Sequence, residues 1–227
     1  MKPELVVMLT HRDTTVRDAF ELFDKMKETP VSHWGFKDVG LPPDRMRETF
    51  EAMKRAGKVT YLEVVSLTEE EGLSGARVAV ECGVDVLLGT VYFDSIHDYL
   101  KDKPIKYYPF PGNVHSHPSI LDGTVDEIVK HARTMTAKGV DGFDLLTYRY
   151  TGDPVGLLKE VVKATHLPLI SAGSIDSFAR IIEVRESKAW GFTIGSAFFE
   201  KKFVPGGSFK DNMMAVWNWL EKNATRD

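Results

Sequence analysis

A single cysteine, Cys82, stands in 227 residues. It excludes an internal disulfide framework and suits a reducing, cytoplasmic setting. No apolar run approaches the roughly 18 residues of a membrane helix. The opening Met1-Lys2-Pro3-Glu4-Leu5 has no apolar segment leading to a small-residue cleavage site. Basic excess is missing too. Against 29 Lys and Arg stand 33 Asp and Glu, a net charge of −4, so there is no broad field to offset nucleic-acid phosphates. Linkers, low-complexity stretches and composition shifts are also missing, and one domain over residues 1–227 is expected. Neither a membrane nor a nucleic acid is the expected partner. What remains is a chain 43% hydrophobic and 27% charged, enough to bury a core.

The chain alternates two kinds of segment. Apolar runs at 5–9, 31–36, 59–65, 84–88, 105–110, within 140–148, 167–171 and 189–194 read as strands. Helical spacing appears at 15–27, with Val16, Ala19, Phe20, Phe23 and Met26, and from Pro43 to Gly57. Thr68 with Glu71, and Thr124 with Glu127, have capping-box spacing. Asp153-Pro154 places an N-cap before a proline at the first helical position. A last helix is predicted near 208–222. Two junctions repeat, Glu81-Cys82-Gly83-Val84-Asp85 and Ala137-Lys138-Gly139-Val140-Asp141. Eight strand–helix units of about 28 residues account for the length as a single (β/α)8 TIM barrel, a better fit than an open doubly wound sheet.

In such a barrel the chemistry gathers at the C-terminal ends of the strands. The seventh strand ends in Ser171-Ala172-Gly173-Ser174-Ile175-Asp176, and the eighth in Thr193-Ile194-Gly195-Ser196-Ala197-Phe198. Small residues at both ends let backbone N–H groups approach an anion, and a short helix from Ser196 would direct its positive end there. These two runs, with the preceding Pro168-Leu169-Ile170 and Gly191-Phe192, resemble the end of the ribulose-phosphate-binding barrels. That group includes histidine- and tryptophan-pathway isomerases and N-acylmannosamine-6-phosphate epimerases. The resemblance implies a phosphorylated, sugar-like substrate, a place in carbohydrate metabolism, and Gly173, Ser174, Gly195 and Ser196 as phosphate contacts. It covers about the last quarter of the chain. The histidine-pathway isomerases have an aspartate at the end of the first strand, where this chain has Leu9-Thr10-His11-Arg12, so their acid/base pair does not carry over.

Strand alternation supplies other candidates. If Trp34 and Phe36 face the helices, His33, Gly35 and Lys37 face inward. Glu63 should also face inward, because an unpaired carboxylate among packed helices is costly. Lys37 and Glu63 are then partners across adjacent strands: Lys37 as Schiff-base nucleophile or electrostatic stabiliser, Glu63 as acid/base, or the two as a structural ion pair. Asp144 and Tyr148 share a face of the sixth strand by alternation; Asp144 is a further catalytic candidate. Arg149 suits a carboxylate or second phosphate. His11, Asn113, Tyr148 and Arg149 are the substrate-binding candidates, with Thr10 and Thr90 as further pocket residues. His115 and His117 suggest a metal, with His11 or Asp176 as third ligand. A substrate-binding or exposed loop is the preferred reading, and neither metal nor cofactor is expected. Cys82 reads as a small packing residue. In Trp217-Asn218-Trp219-Leu220 one tryptophan is left for a contact in a homo-oligomer.

The expected activity is proton abstraction next to a carbonyl of a small phosphorylated sugar or sugar acid, giving isomerisation, epimerisation or retro-aldol cleavage. The alternatives are a metabolite-sensing regulator, similar to the glycerol-3-phosphate-responsive antiterminators, and a metal-dependent epimerase or lyase.

Overall fold

Branched apolar residues build eight short parallel strands: β1 (Glu4–Met8), β2 (His33–Lys37), β3 (Val59–Val64), β4 (Val86–Val91), β5 (Lys106–Phe110), β6 (Phe143–Leu145), β7 (Leu169–Ser171) and β8 (Gly191–Ile194). This is a computed structural model, which describes residues 2–224. The sheet order is β6-β7-β8-β1-β2-β3-β4-β5. The two end strands are joined by Asp141, whose N–H donates to Tyr107 O at 3.1 Å and whose carboxylate accepts from Tyr107 N–H at 2.9 Å. The repeated junction thus has a structural meaning. Asp85, at the equivalent place, accepts from Thr60 N–H at 2.8 Å and Thr60 Oγ1 at 2.7 Å. In both junctions a helix ends and the aspartate ties the new strand to its neighbour's N-terminal end. The result is a nearly closed (β/α)8 barrel.

Alternation divides the core in two. Val6, Met8, Tyr61, Val86, Leu88, Tyr108 and Ile170 fill the inside of the barrel. Trp34 and Phe36 face the helix layer: Trp34 meets Phe23 edge-on at 5.3 Å and Phe36 stacks on Phe50 at 4.2 Å. The helices are α1 (Ala19–Asp24), α2 (Pro43–Arg55), α3 (Glu69–Glu81), α4 (Asp94–Leu100), α5 (Val125–Lys138), α6 (Pro154–Thr165), α7 (Phe178–Ser187), α8 (Ser196–Phe199) and α9 (Phe209–Asn223). Thr124 and Glu127 form a reciprocal capping box on α5, and Asp153 caps α6 with Pro154 in its first turn. None of the helices among the described residues is long and apolar enough to cross a membrane.

Several expected boundaries shift. The helix expected at 15–27 is only α1, because Thr10–His11 and Thr14–Thr15 pair as a small antiparallel hairpin. Thr15 is held there by β2: its Oγ1 donates to Lys37 O at 2.7 Å and accepts from Lys37 N–H at 2.9 Å. The loop after β5 carries a second hairpin, Asn113–His115 with Ile120–Asp122. The sixth strand stops at Leu145 and turns through a 3-10 segment at Thr147–Arg149. Alternation therefore does not extend to Tyr148, which does not share an inward face with Asp144.

Candidate functional site

In the parallel register Lys37 lies opposite Glu63, and both side chains point into the barrel at its C-terminal end. Lys37 Nζ is 3.4 Å from Glu63 Oε1, with side-chain exposures of 9% and 6%. A third charged group completes the cluster. Asp13 occupies the tip of the hairpin after β1. Lys37 Nζ donates to its Oδ1 at 2.8 Å, and Arg149 Nη2 donates to its Oδ1 and Oδ2 at 2.7 and 2.9 Å. Arg149 is delivered by the turn after β6 and reaches Ser119 O from Nη1 at 3.5 Å. Two carboxylates and two cations from four elements therefore alternate in one partly dry patch.

The network sets protonation. Burial pulls the Lys37 ammonium down, but Glu63 and Asp13 outweigh it, and its pKa ends above the ordinary lysine value. Burial pushes the Asp13 carboxyl up, while Lys37 and Arg149 hold it below its ordinary value. Asp144 goes the other way. It is fully buried, and neither carboxyl oxygen has a hydrogen-bond partner. Desolvation first, then the charge of Glu63, raises its pKa well above the carboxylate range. A carboxyl in that position resists losing its proton.

Above this patch is a cavity of about 300 Å³ lined by Lys37, Glu63, Arg149, Gly173, Ser174, Gly195 and Ser196, along with Thr10, Arg12 and Asp13. Gly173 has φ +79°, and a Cβ there would lie 3.0 Å from Arg149 Cγ and Cδ. At Gly195 a Cβ would come within 2.6 Å of Thr10 O. The rim is glycine-rich because neighbouring groups stand against it. Ser196 Oγ accepts from the Arg12 N–H at 2.9 Å, tying the β1 hairpin to the loop after β8.

Other candidates lie elsewhere. His11 stacks on Phe199 at 5.1 Å and is 3.9 Å from Glu200, outside the cavity lining. Tyr148 points outward, its hydroxyl donating to Glu183 Oε2 at 2.6 Å. Asn113 is exposed on the β5 hairpin. Thr90 is fully buried and its Oγ1 is 2.7 Å from Tyr107 Oη. His115 pairs with Asp122 at 2.5 Å, while His117 lines a separate apolar groove between α2 and α3. Among the described residues no three His, Cys, Asp or Glu side chains converge as a metal site. Cys82 is buried at the end of α3. Arg12 and Asp13 escaped the strand-based reading because residues 15–27 took the helical pattern. The signal for them is the run Thr10-His11-Arg12-Asp13-Thr14-Thr15, a charged dipeptide flanked by β-branched threonines at Thr10, Thr14 and Thr15.

No family model matches the chain, and no curated protein does. Solved structures do match. A native KDPGal structure superposes with a TM-score of 0.70 at 9% identity, covering 100% of this chain and 98% of that one. An N-acetylmannosamine-6-phosphate 2-epimerase from Clostridium perfringens gives 0.61 at 12% identity, covering 88% and 91%. A glycerol uptake operon antiterminator regulatory protein from Listeria monocytogenes gives 0.61 at 12% identity, covering 86% and 93%. The chain is a TIM barrel with sugar-phosphate enzymes among its structural neighbours; these identities establish the fold alone.

Proposed function

We propose that residues 1–227 form a single-domain enzyme that abstracts a proton next to a carbonyl of a small phosphorylated sugar or sugar acid, as an isomerase, epimerase or aldolase-type lyase. The observation that carries this reading is the Lys37–Glu63 pair opening into a small cavity rimmed by Gly173, Ser174, Gly195 and Ser196. Glu63 is the acid/base. Lys37 remains an ammonium and stabilises the developing enediolate oxygen, a role that rewards a fixed positive charge in a dry site. Its raised pKa disfavours the free amine a Schiff base requires. Arg149 orients a second oxygen or a carboxylate. Asp144 supports the site electrostatically, as a buried carboxyl whose raised pKa keeps a second negative charge away from Glu63. The rim residues hold the phosphate, in the loops where barrels commonly bind it.

The test is solvent exchange. A panel of phosphorylated sugars and sugar acids is incubated with the protein in heavy water and read by proton NMR. Deuterium should enter a carbon adjacent to the carbonyl of one of them, and Glu63→Gln should stop it. No exchange and no binding across the panel would sink the reading. The antiterminator-like alternative has only the fold likeness behind it, and the net charge of −4 gives it no RNA-binding field.

A further inference from the structure

Charge accounting around the cavity leaves one group over. Asp13 and Glu63 formally cancel Lys37 and Arg149. Of the remaining lining carboxylates, Asp176 is 3.0 Å from Arg180 and Glu200 is 3.6 Å from Lys202. Arg12 also lines the cavity, and its side chain has no ion-pair partner among the described residues. It is also held in an unfavourable conformation. Arg12 has φ +50° and Asp13 φ +61°, the left-handed region that a two-residue hairpin turn needs and that glycine or asparagine ordinarily supplies. An aspartate tolerates that region through its short polar side chain, whereas a long arginine is strained there. Asp13 has a visible return in its contacts with Lys37 and Arg149. The Arg12 side chain has none among the described residues, although its own N–H is fixed to Ser196, a residue of the phosphate rim.

We infer that Arg12 is the phosphate-binding cation of this site, presented at the rim by the strained Arg12-Asp13 turn. This rests on the phosphate reading above. A guanidinium supplies paired donors to phosphate oxygens, and here it would bring the positive charge that the self-neutralised floor does not. The same turn places Asp13 on Lys37, so phosphate capture and the reacting end of the site share one two-residue hinge.

The experiment titrates inorganic phosphate into the wild type, Arg12→Gly and Arg12→Lys, reading amide NMR shifts at Gly195 and Ser196, with melting temperatures measured in parallel. Arg12→Gly should weaken phosphate binding about tenfold or more, Arg12→Lys should fall between, and Arg12→Gly should melt at the wild-type temperature or above, since glycine suits the turn. Wild-type affinity in Arg12→Gly overturns the assignment of Arg12 alone. A loss of binding accompanied by a lower melting temperature also overturns it, in favour of a structural arginine. If the wild type itself shows no shifts with phosphate or with any sugar phosphate, the phosphate reading falls and Arg12 falls with it.

Discussion

Lys37 Nζ donates to Asp13 Oδ1 at 2.8 Å across 24 residues of sequence, and the two belong to different kinds of structure. Lys37 ends a barrel strand; Asp13 sits on a hairpin tip outside the barrel sheet. The contact is maintained by Thr15, whose hydroxyl bridges the backbone N–H and C=O of Lys37. The hairpin therefore acts as a clamp, fixing a carboxylate over the lysine and, through Arg149, over the loop after β6.

Removing that carboxylate should be felt in stability. Asp13→Ala leaves Lys37 and Arg149 facing each other with one anion fewer. Breaking a fully buried pair costs about 3–5 kcal/mol. Asp13 opens onto the cavity, so a loss of about 2–3 kcal/mol is expected after solvent screening. Urea unfolding measures it, and a change under about 0.5 kcal/mol would show that the clamp is unimportant. Asp13→Asn, which keeps the shape, should recover part of the loss.

Lys37 should behave as a permanent cation. Its pKa lies above the ordinary lysine value, so borohydride added with any accepted substrate should trap no adduct. Lys37→Met should abolish solvent exchange, and Lys37→Arg should retain a fraction of it through the preserved charge. A covalent mass increase on Lys37 after reduction would replace the electrostatic role by a Schiff base.

Much of this was legible in the residues, and the part that was not has a physical reason. Strand alternation is a strict period of two, so the placement of Lys37 and Glu63 inward, with Trp34 and Phe36 outward, follows directly from sequence. The same rule fails at Tyr148 because β6 is only three residues long and the chain has already turned. Asp13 depends on a hairpin whose turn lacks the usual Asn-Gly signature; its energy comes from contacts with Lys37 and Arg149, which no local pattern encodes. His11 packs on Phe199 while its neighbours Thr10 and Arg12 line the cavity, because a hairpin, too, sends successive side chains to opposite faces.

Asp144 gives a prediction with the opposite sign to Asp13, whose carboxyl is held down by its cations. Its folded-state pKa is raised, so the penalty is absent at pH below the unfolded value and grows as pH climbs toward the folded one, by about 1.4 kcal/mol for each pH unit. Asp144→Asn should therefore raise the melting temperature near neutrality and change it little at about pH 4. Equal melting shifts at both pH values would contradict the buried, protonated carboxyl.

Two half-buried histidines tie stability to mild acid. His33 lies at the opposite end of the barrel, its Nδ1 2.8 Å from Tyr61 Oη, and His131 Nδ1 accepts from Gly112 N–H at 2.9 Å. Burial holds both imidazoles below their ordinary pKa of 6.5. Their contribution is complete above the unfolded-state pKa and drains away as pH falls below it toward the lower folded values. Between about pH 7 and pH 5.5 this loss opposes the gain from the raised carboxyls Asp144 and Asp38, and the combined replacement of His33 and His131 by Gln should shift the slope of the urea midpoint toward higher stability in acid. An unchanged slope in the double variant would place the acid sensitivity in other groups.

Gly173 and Gly206 form a matched pair that separates backbone cost from site geometry. Both have left-handed φ, +79° and +82°, so alanine at either costs about 1 kcal/mol in backbone strain. At Gly206 an added Cβ meets nothing within 4 Å, whereas at Gly173 it lies 3.0 Å from Arg149 Cγ and Cδ. Gly206→Ala should thus lose only that stability and bind ligand normally. Gly173→Ala should lose as much or more and, by pushing the Arg149 stem aside, loosen its grip on Asp13 and weaken ligand binding several-fold. The double variant Gly173→Ala, Arg149→Ala should bind no more weakly than Arg149→Ala alone, because the methyl then has nothing to displace. Calorimetric titration of the four proteins reads this directly, and additive losses in the double variant would show that Gly173 acts on the ligand by a route other than Arg149.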